Sequence, residues 1–149
     1  MYIDYEFYKN NGGNLISEDD FERYAEKAEN TVSIYTFDRV NDITINRFPP
    51  LLVSKIKKCA CELADLYFEI DKVNKRYINA ISDEKSSGIV KSETAGSVSK
   101  TYENVSVAEK LLNSATVNLK IGNVINFWLY PCMIDGKYYN ITSWVVWYV

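Results

Sequence analysis

Histidine is absent from this chain of 149 residues. With it go the commonest general base, the usual activator of nucleophiles and the favoured nitrogen ligand of transition metals. Cysteine is scarce: Cys59, Cys61 and Cys132 are an odd number without framework spacing, which fits neither a secreted disulfide scaffold nor a zinc site. Cys59 and Cys61 stand two apart in a helical pattern, so they are expected on nearly opposite faces and unable to clasp one metal. No run approaches the roughly 18 apolar residues of a membrane-spanning helix. The opening MYIDYEFYKN has neither the basic nor the apolar region of a signal peptide, so a protein made and kept in a cytoplasm, without a membrane partner, is expected. An excess of one charge is missing too, since 17 Lys+Arg face 20 Asp+Glu for a net charge of -3. General attraction to nucleic acid or to anionic membrane surfaces is therefore not expected. No Gly-rich phosphate loop, nucleophile elbow or metal-ligand spacing occurs, so no catalytic residue, cofactor or metal is assigned and the chain is read as not an enzyme.

What is present is 47% hydrophobic and 25% charged, enough for one domain that buries roughly two thirds of its unfolded surface. The expected class is mainly α, a small helical bundle with a long central helix, an inserted β-hairpin-like ribbon and an aromatic C-terminal extension. Residues 1–16 form an N-terminal segment. The first main helix starts at Ser17, which can cap, with Asp20 reaching back and Ile16 stapled onto Phe21. Phe21, Tyr24, Ala25, Ala28, Val32 and Tyr35 recur on one arc, while Glu22, Arg23, Glu26, Lys27, Glu29 and Asn30 fill the polar remainder. The acidic cluster Glu18, Asp19, Asp20 and Glu22 is read as first-turn carboxylates favoured by the helix dipole, not as a metal site.

Residues 41–50 are a connector ending in Pro49-Pro50, which blocks a continuous helix and suits the first turn of the next. That second helix runs to about residue 82 by its apolar period: Leu52, Ile56, Cys59, Ala60, Leu63, Leu66, Tyr67, Ile70, Val73, Asn74, Tyr77, Ile78 and Ile81. Lys58, Glu62, Asp65, Glu69 and Arg76 line a flank away from that stripe, read as a subunit-contact edge. A di-iron reading of these carboxylates fails for want of the Glu-x-x-His motif.

From 83 to 104 the chain turns polar. Val90, Ser92 and Thr94 can alternate against Val98, Lys100 and Tyr102 around Ala95-Gly96, a hairpin with a weak apolar face that two isolated strands hardly sustain in water. A third helix is expected over 105–121, capped at Asn104 or Ser106, with Val105, Ala108, Leu111, Leu112, Ala115 and Leu119 as its core stripe. Residues 122–149 form the aromatic tail, with all three Trp residues and a hairpin signal at Asp135-Gly136. Phe127, Trp128, Tyr130, Trp144, Trp147 and Tyr148 are its candidate contact residues, because an exposed apolar patch of that size is uncommon on a soluble monomer.

Several positions follow one another in an order that carries a resemblance. They are Tyr2, Tyr5, Phe7 and Tyr8 before Gly12-Gly13; Phe21 and Ala28; Thr36-Phe37-Asp38-Arg39; Cys61-Glu62-Leu63-Ala64; then Ser92-Glu93, Gly96, Ser99 and Tyr102. Over residues 1 to 120 this pattern resembles the head-tail connector (adaptor) proteins of tailed bacteriophages. After Gly122 it departs, for Leu129-Tyr130-Pro131-Cys132 stands where family members carry a Leu-Tyr-Arg-Gly-like end.

The resemblance implies a structural subunit of a homo-oligomeric ring, dodecameric to match the portal, closed by heterologous contacts. Its partners would be the portal protein, a tail or neck completion protein and double-stranded DNA in transit. Its place would be the host bacterial cytoplasm during assembly and then the neck of the virion. The candidate tunnel-facing ribbon offers Lys91, Ser92, Glu93, Ser97, Ser99 and Lys100, short hydroxyls and mixed charges that let a polyanion slide where dense Lys/Arg would grip it. The alternative is a small helical nucleic-acid-binding or regulatory module using Lys55, Lys57, Lys58, Lys72, Lys75 and Arg76, opposed by the carboxylates on the same helix.

Overall fold

A computed structural model describes residues 1–82, 92–95, 98–101, 113–134 and 137–142. The described chain is mainly helical, in the order α1 (Tyr5–Asn10), α2 (Glu18–Tyr35), a 3-10 turn (Ile45–Arg47), α3 (Pro50–Ser82), β1 (Ser92–Ala95), β2 (Val98–Thr101), α4 (Ser114–Leu129), β3 (Cys132–Ile134) and β4 (Lys137–Tyr139). It divides into two compact units, Met1–Phe68 with Lys120–Val149, and Glu69–Leu119.

The first unit is built from the N-terminus inward. Asp4 begins α1 by accepting the Phe7 N–H at 2.7 Å on Oδ1, a short helix within the N-terminal segment to which the sequence reading assigned no element. It ends at Asn10 with Asn11 as C-cap, and Gly12 follows with a φ of +93° that is open to glycine without penalty. Ser17 precedes α2 in extended conformation, but its hydroxyl donates to Asp20 Oδ2 at 3.0 Å instead of capping a backbone N–H, so the expected cap is only half made.

Phe21, Tyr24, Ala25, Ala28 and Val32 are buried as the 3.6 period requires, whereas Tyr35 is already exposed where α2 ends. Glu29, expected on the polar face, is instead buried at 9% exposure, because its Oε1 accepts the backbone N–H groups of Tyr2 and Ile3 at 2.7 and 2.8 Å. Beyond α2 the buried Thr36 hydroxyl donates back to the Val32 carbonyl at 2.8 Å and accepts the Val40 N–H at 3.3 Å. Phe37 and Asp38 follow with φ of 53° and 58°, two left-handed non-glycine residues in succession. Asp38 N–H bonds the Ser33 carbonyl at 2.8 Å and its Oδ1 takes the Ser33 hydroxyl at 2.9 Å, which holds the turn against its conformational cost.

α3 begins at Pro50 as expected. Within the first unit it is buried broadly: Leu52, Ile56, Cys59, Ala60, Leu63 and Tyr67, and also Cys61 and Ala64. Cys59 and Cys61 therefore do not part to an inner and an outer face, since this stretch is covered on more than one side. Tyr24 and Phe68 meet edge to face with centroids 5.5 Å apart. Further along, Ile70, Val73 and Asn74 are half-buried and Ile78 is 61% exposed, so the regular stripe outruns the burial. The side chains of Tyr77 and Ile81 lie outside the described residues.

The third helix differs from expectation. Of 105–121, residues 105–112, with Val105, Ala108, Leu111 and Leu112, lie outside the described residues. The helix seen there is α4, and it runs to Leu129, so the tail does not begin at 122. Its buried residues are Ile121, Ile125 and Leu129 at four-residue spacing, while Ala115 is exposed and Leu119 is 65% exposed. Ile121 lies two residues beyond Leu119, about 200° round the helix, which is why the apolar period chosen from sequence fell on the wrong face. β3 pairs antiparallel with β4 through Cys132↔Tyr139, Met133↔Tyr138 and Ile134↔Lys137. In the second unit β1 pairs antiparallel with β2 through Ser92↔Thr101, Glu93↔Lys100, Thr94↔Ser99 and Ala95↔Val98. Residues 83–91 and 102–104 of the expected ribbon, with Gly96 and Ser97, lie outside the described residues. No helix among the described residues is long and apolar enough to cross a membrane.

Candidate functional site

The first unit carries a groove of about 290 Å3 lined by the end of α1 and its Gly12-Gly13 turn, by α3 and by α4. Tyr8 forms its floor. The ring rests 5.0 Å from Phe21, centroid to centroid, and a Cβ built on Gly13 would stand 2.3 Å from the same ring, so only glycine lets the chain pass there. The Tyr8 hydroxyl donates to Asp65 Oδ1 at 2.5 Å and accepts the N–H groups of Leu15 and Ile16 at 3.1 and 3.2 Å. One oxygen thereby joins α1, the loop before α2, and α3. Burial and the bond to the Asp65 carboxylate push the phenol up to about 12, against the pull of the two backbone donors, so it stays protonated and keeps donating.

The α4 wall is made by Trp128, whose indole N–H donates to Glu62 Oε2 at 2.6 Å. Phe127 stands against the indole edge to face at 5.1 Å. Lys58, one turn before Glu62, lines the same groove and makes no ion pair with it among the described residues. Cys61 also borders the groove, but burial, with the nearby Asp65 and Asp4 charges, pushes its thiol up to about 12, which suits a packed side chain and not a nucleophile.

Of the charged edge expected on α3, Lys58, Glu62 and Asp65 are thus brought together, and Trp128 of the expected contact set joins them. Glu69 and Arg76, later on α3, are exposed and are not among the residues that line the groove. Phe127 and Tyr130 are 75% and 68% exposed. Trp144, Trp147 and Tyr148 lie outside the described residues, as do Lys91 and Ser97; Ser92, Glu93, Ser99 and Lys100 are placed on β1 and β2 by backbone alone. Sequence reasoning missed Tyr8, Gly13 and Asp65 as partners. The available signal was Gly12-Gly13 itself, a pair that ends a helix and makes room at its second member.

Two cations of the alternative reading are spoken for or turned aside: Lys57 lies 5.2 Å from the Phe7 ring centroid, and Lys58 borders the two carboxylates. Among the described residues no group of three or more His, Cys, Asp or Glu is placed to hold a metal ion. No protein-family model, curated protein or solved structure matches the chain.

Proposed function

We propose that the chain is a structural head-tail connector (adaptor) subunit, forming a ring beneath the portal of a phage or prophage-derived particle and extending its DNA channel. The observation that carries this reading is the nature of the positions in which the sequence resembles that family. Tyr8, Phe21, Ala28, Thr36, Cys61, Leu63 and Ala64 are buried, interlocking positions of the first unit, and Gly13 makes room for the Tyr8 ring. A protein whose task is to hold shape in a ring needs its recurring residues there.

In this reading copies pack head to tail, with the outward charges of α3 at the contact between neighbours, Glu69 and Arg76 included. Twelve copies match the portal. The ribbon segment, with Lys91, Ser92, Glu93, Ser97, Ser99 and Lys100 in its sequence, faces the tunnel and passes DNA without gripping it, because its cations alternate along the sequence with carboxylates and hydroxyls. The exposed Phe127 and Tyr130 and the aromatic residues after Thr142 serve contacts with the portal or the next neck protein. Assembly takes place in the bacterial cytoplasm and the finished ring stays in the virion neck.

Electron microscopy of the protein mixed with its cognate portal tests this directly. A ring stacked on the portal is expected. Free monomers beside bare portals, together with a steeply salt-dependent affinity of the monomer for DNA, would put the nucleic-acid-binding module in its place.

A further inference from the structure

We infer that the groove bounded by Tyr8, Gly13, Lys58, Glu62, Asp65 and Trp128 is a receptor for a guanidinium group, the arginine side chain of another polypeptide chain. Its size is the first argument. At about 290 Å3 it lies at the lower end of small-molecule pockets, which run from roughly 300 to 1,000 Å3, so it suits a side chain better than a cofactor.

Charge is the second. Glu62 and Asp65 against Lys58 make the lining acidic on balance, which favours a cation, and Tyr8 and Trp128 give it apolar aromatic surface as well. Shape is the third. Trp128 is held by its indole N–H on Glu62 Oε2, and among the described residues no hydrogen bond is made to Glu62 Oε1. A fixed indole beside a carboxylate with an oxygen to spare matches a planar cation that stacks through its face and bonds through its edge. An ammonium cannot do both, because it is a compact, strongly hydrated point charge. The site is also built in advance, since the Tyr8 hydroxyl bond to Asp65 and the close approach of Gly13 hold the floor in place.

This inference stands apart from the connector reading, because the groove is a property of one chain. The test is a titration of the full chain with L-argininamide, followed by NMR at the indole N–H of Trp128, assigned by Trp128→Phe. A saturable shift is expected, with lysinamide weaker. Glu62→Gln keeps an oxygen to accept the indole N–H while removing the charge, and should weaken argininamide by about fivefold with the thermal midpoint retained. Lys58→Gln should tighten it by about threefold, because a like charge is removed.

Absence of a saturable shift would overturn the inference, as would an unchanged affinity in Glu62→Gln or weaker binding in Lys58→Gln, the response of an anion site. The source of the arginine follows from a second arm. Arg47 and Arg76 are exposed on this chain, so a shift that appears on raising protein concentration alone and is lost in an Arg47→Ala, Arg76→Ala double variant assigns the guest to a second copy. A shift seen only with added argininamide assigns it to a different protein.

Discussion

Glu29 receives both backbone N–H groups, of Tyr2 and of Ile3, on the single oxygen Oε1. Desolvation raises its pKa above the ordinary carboxylate value of 4.5, with the two donors pulling the other way. The sign follows from linkage: with the folded pKa raised, the proton binds the folded chain more tightly, so this group's contribution to stability is fully present below about pH 4.5 and is lost as pH rises through the folded value. Glu29→Gln keeps the acceptor and discards the charge, and should flatten the stability profile between pH 4.5 and neutrality without loss at pH 7, as denaturant midpoints will report. Glu29→Ala leaves two amides without an acceptor and should cost about 2 kcal/mol. Gly13→Ala drives a methyl into the Tyr8 ring and should cost about 1–3 kcal/mol in the same assay. None of these roles was legible at Glu29, because its partners are some 26 residues away and are backbone groups that no side-chain pattern advertises.

At the scale of elements, the sequence disclosed most where an apolar period met a single covered face. α2 and the first half of α3 fall where Phe21 to Val32 and Leu52 to Tyr67 put them, and the start of α3 follows from Pro49-Pro50. The second half of α3 keeps the period without the burial, since period records which residues share a face and not whether anything covers it. Leu63→Ala should therefore cost about 2–5 kcal/mol, whereas Ile78→Ala should stay within about 0.5 kcal/mol. Ile70→Asp, at a half-buried position, should fall between the two. α4 was misjudged because apolar residues stand on all its sides, with Leu119 and Phe127 outward and Ile121, Ile125 and Leu129 inward, so amphipathicity pointed nowhere. Of the groove's lining, the sequence reading named Lys58, Glu62 and Asp65 for a subunit-contact edge and Trp128 for a separate contact set, but not that they meet, because contacts between distant helices are set by packing.

For the whole molecule, the useful division is between what closes the core and what reaches outward. Leu129 and Ile141 are buried, so a chain ending at Asn126 forfeits core side chains and should lose its cooperative unfolding transition. A chain ending at Thr142 retains every buried residue among those described and should keep a cooperative unfolding transition. If the last seven residues are the docking arm, that shorter chain will fold and fail to bind the portal; retained binding would move the contact to Phe127 and Tyr130. The two truncations together separate folding from attachment.

The hydroxyl of Tyr8 also sets a clock. Leu15 and Ile16 sit in a loop, where amides ordinarily trade their protons with water quickly, yet both are tied to an oxygen that is itself tied to α3. Neither proton can leave until that oxygen lets go, and the oxygen lets go only when helix and loop part. The two loop amides should therefore exchange in step with the interior of α3, and Tyr8→Phe should release them while α3 itself stays slow.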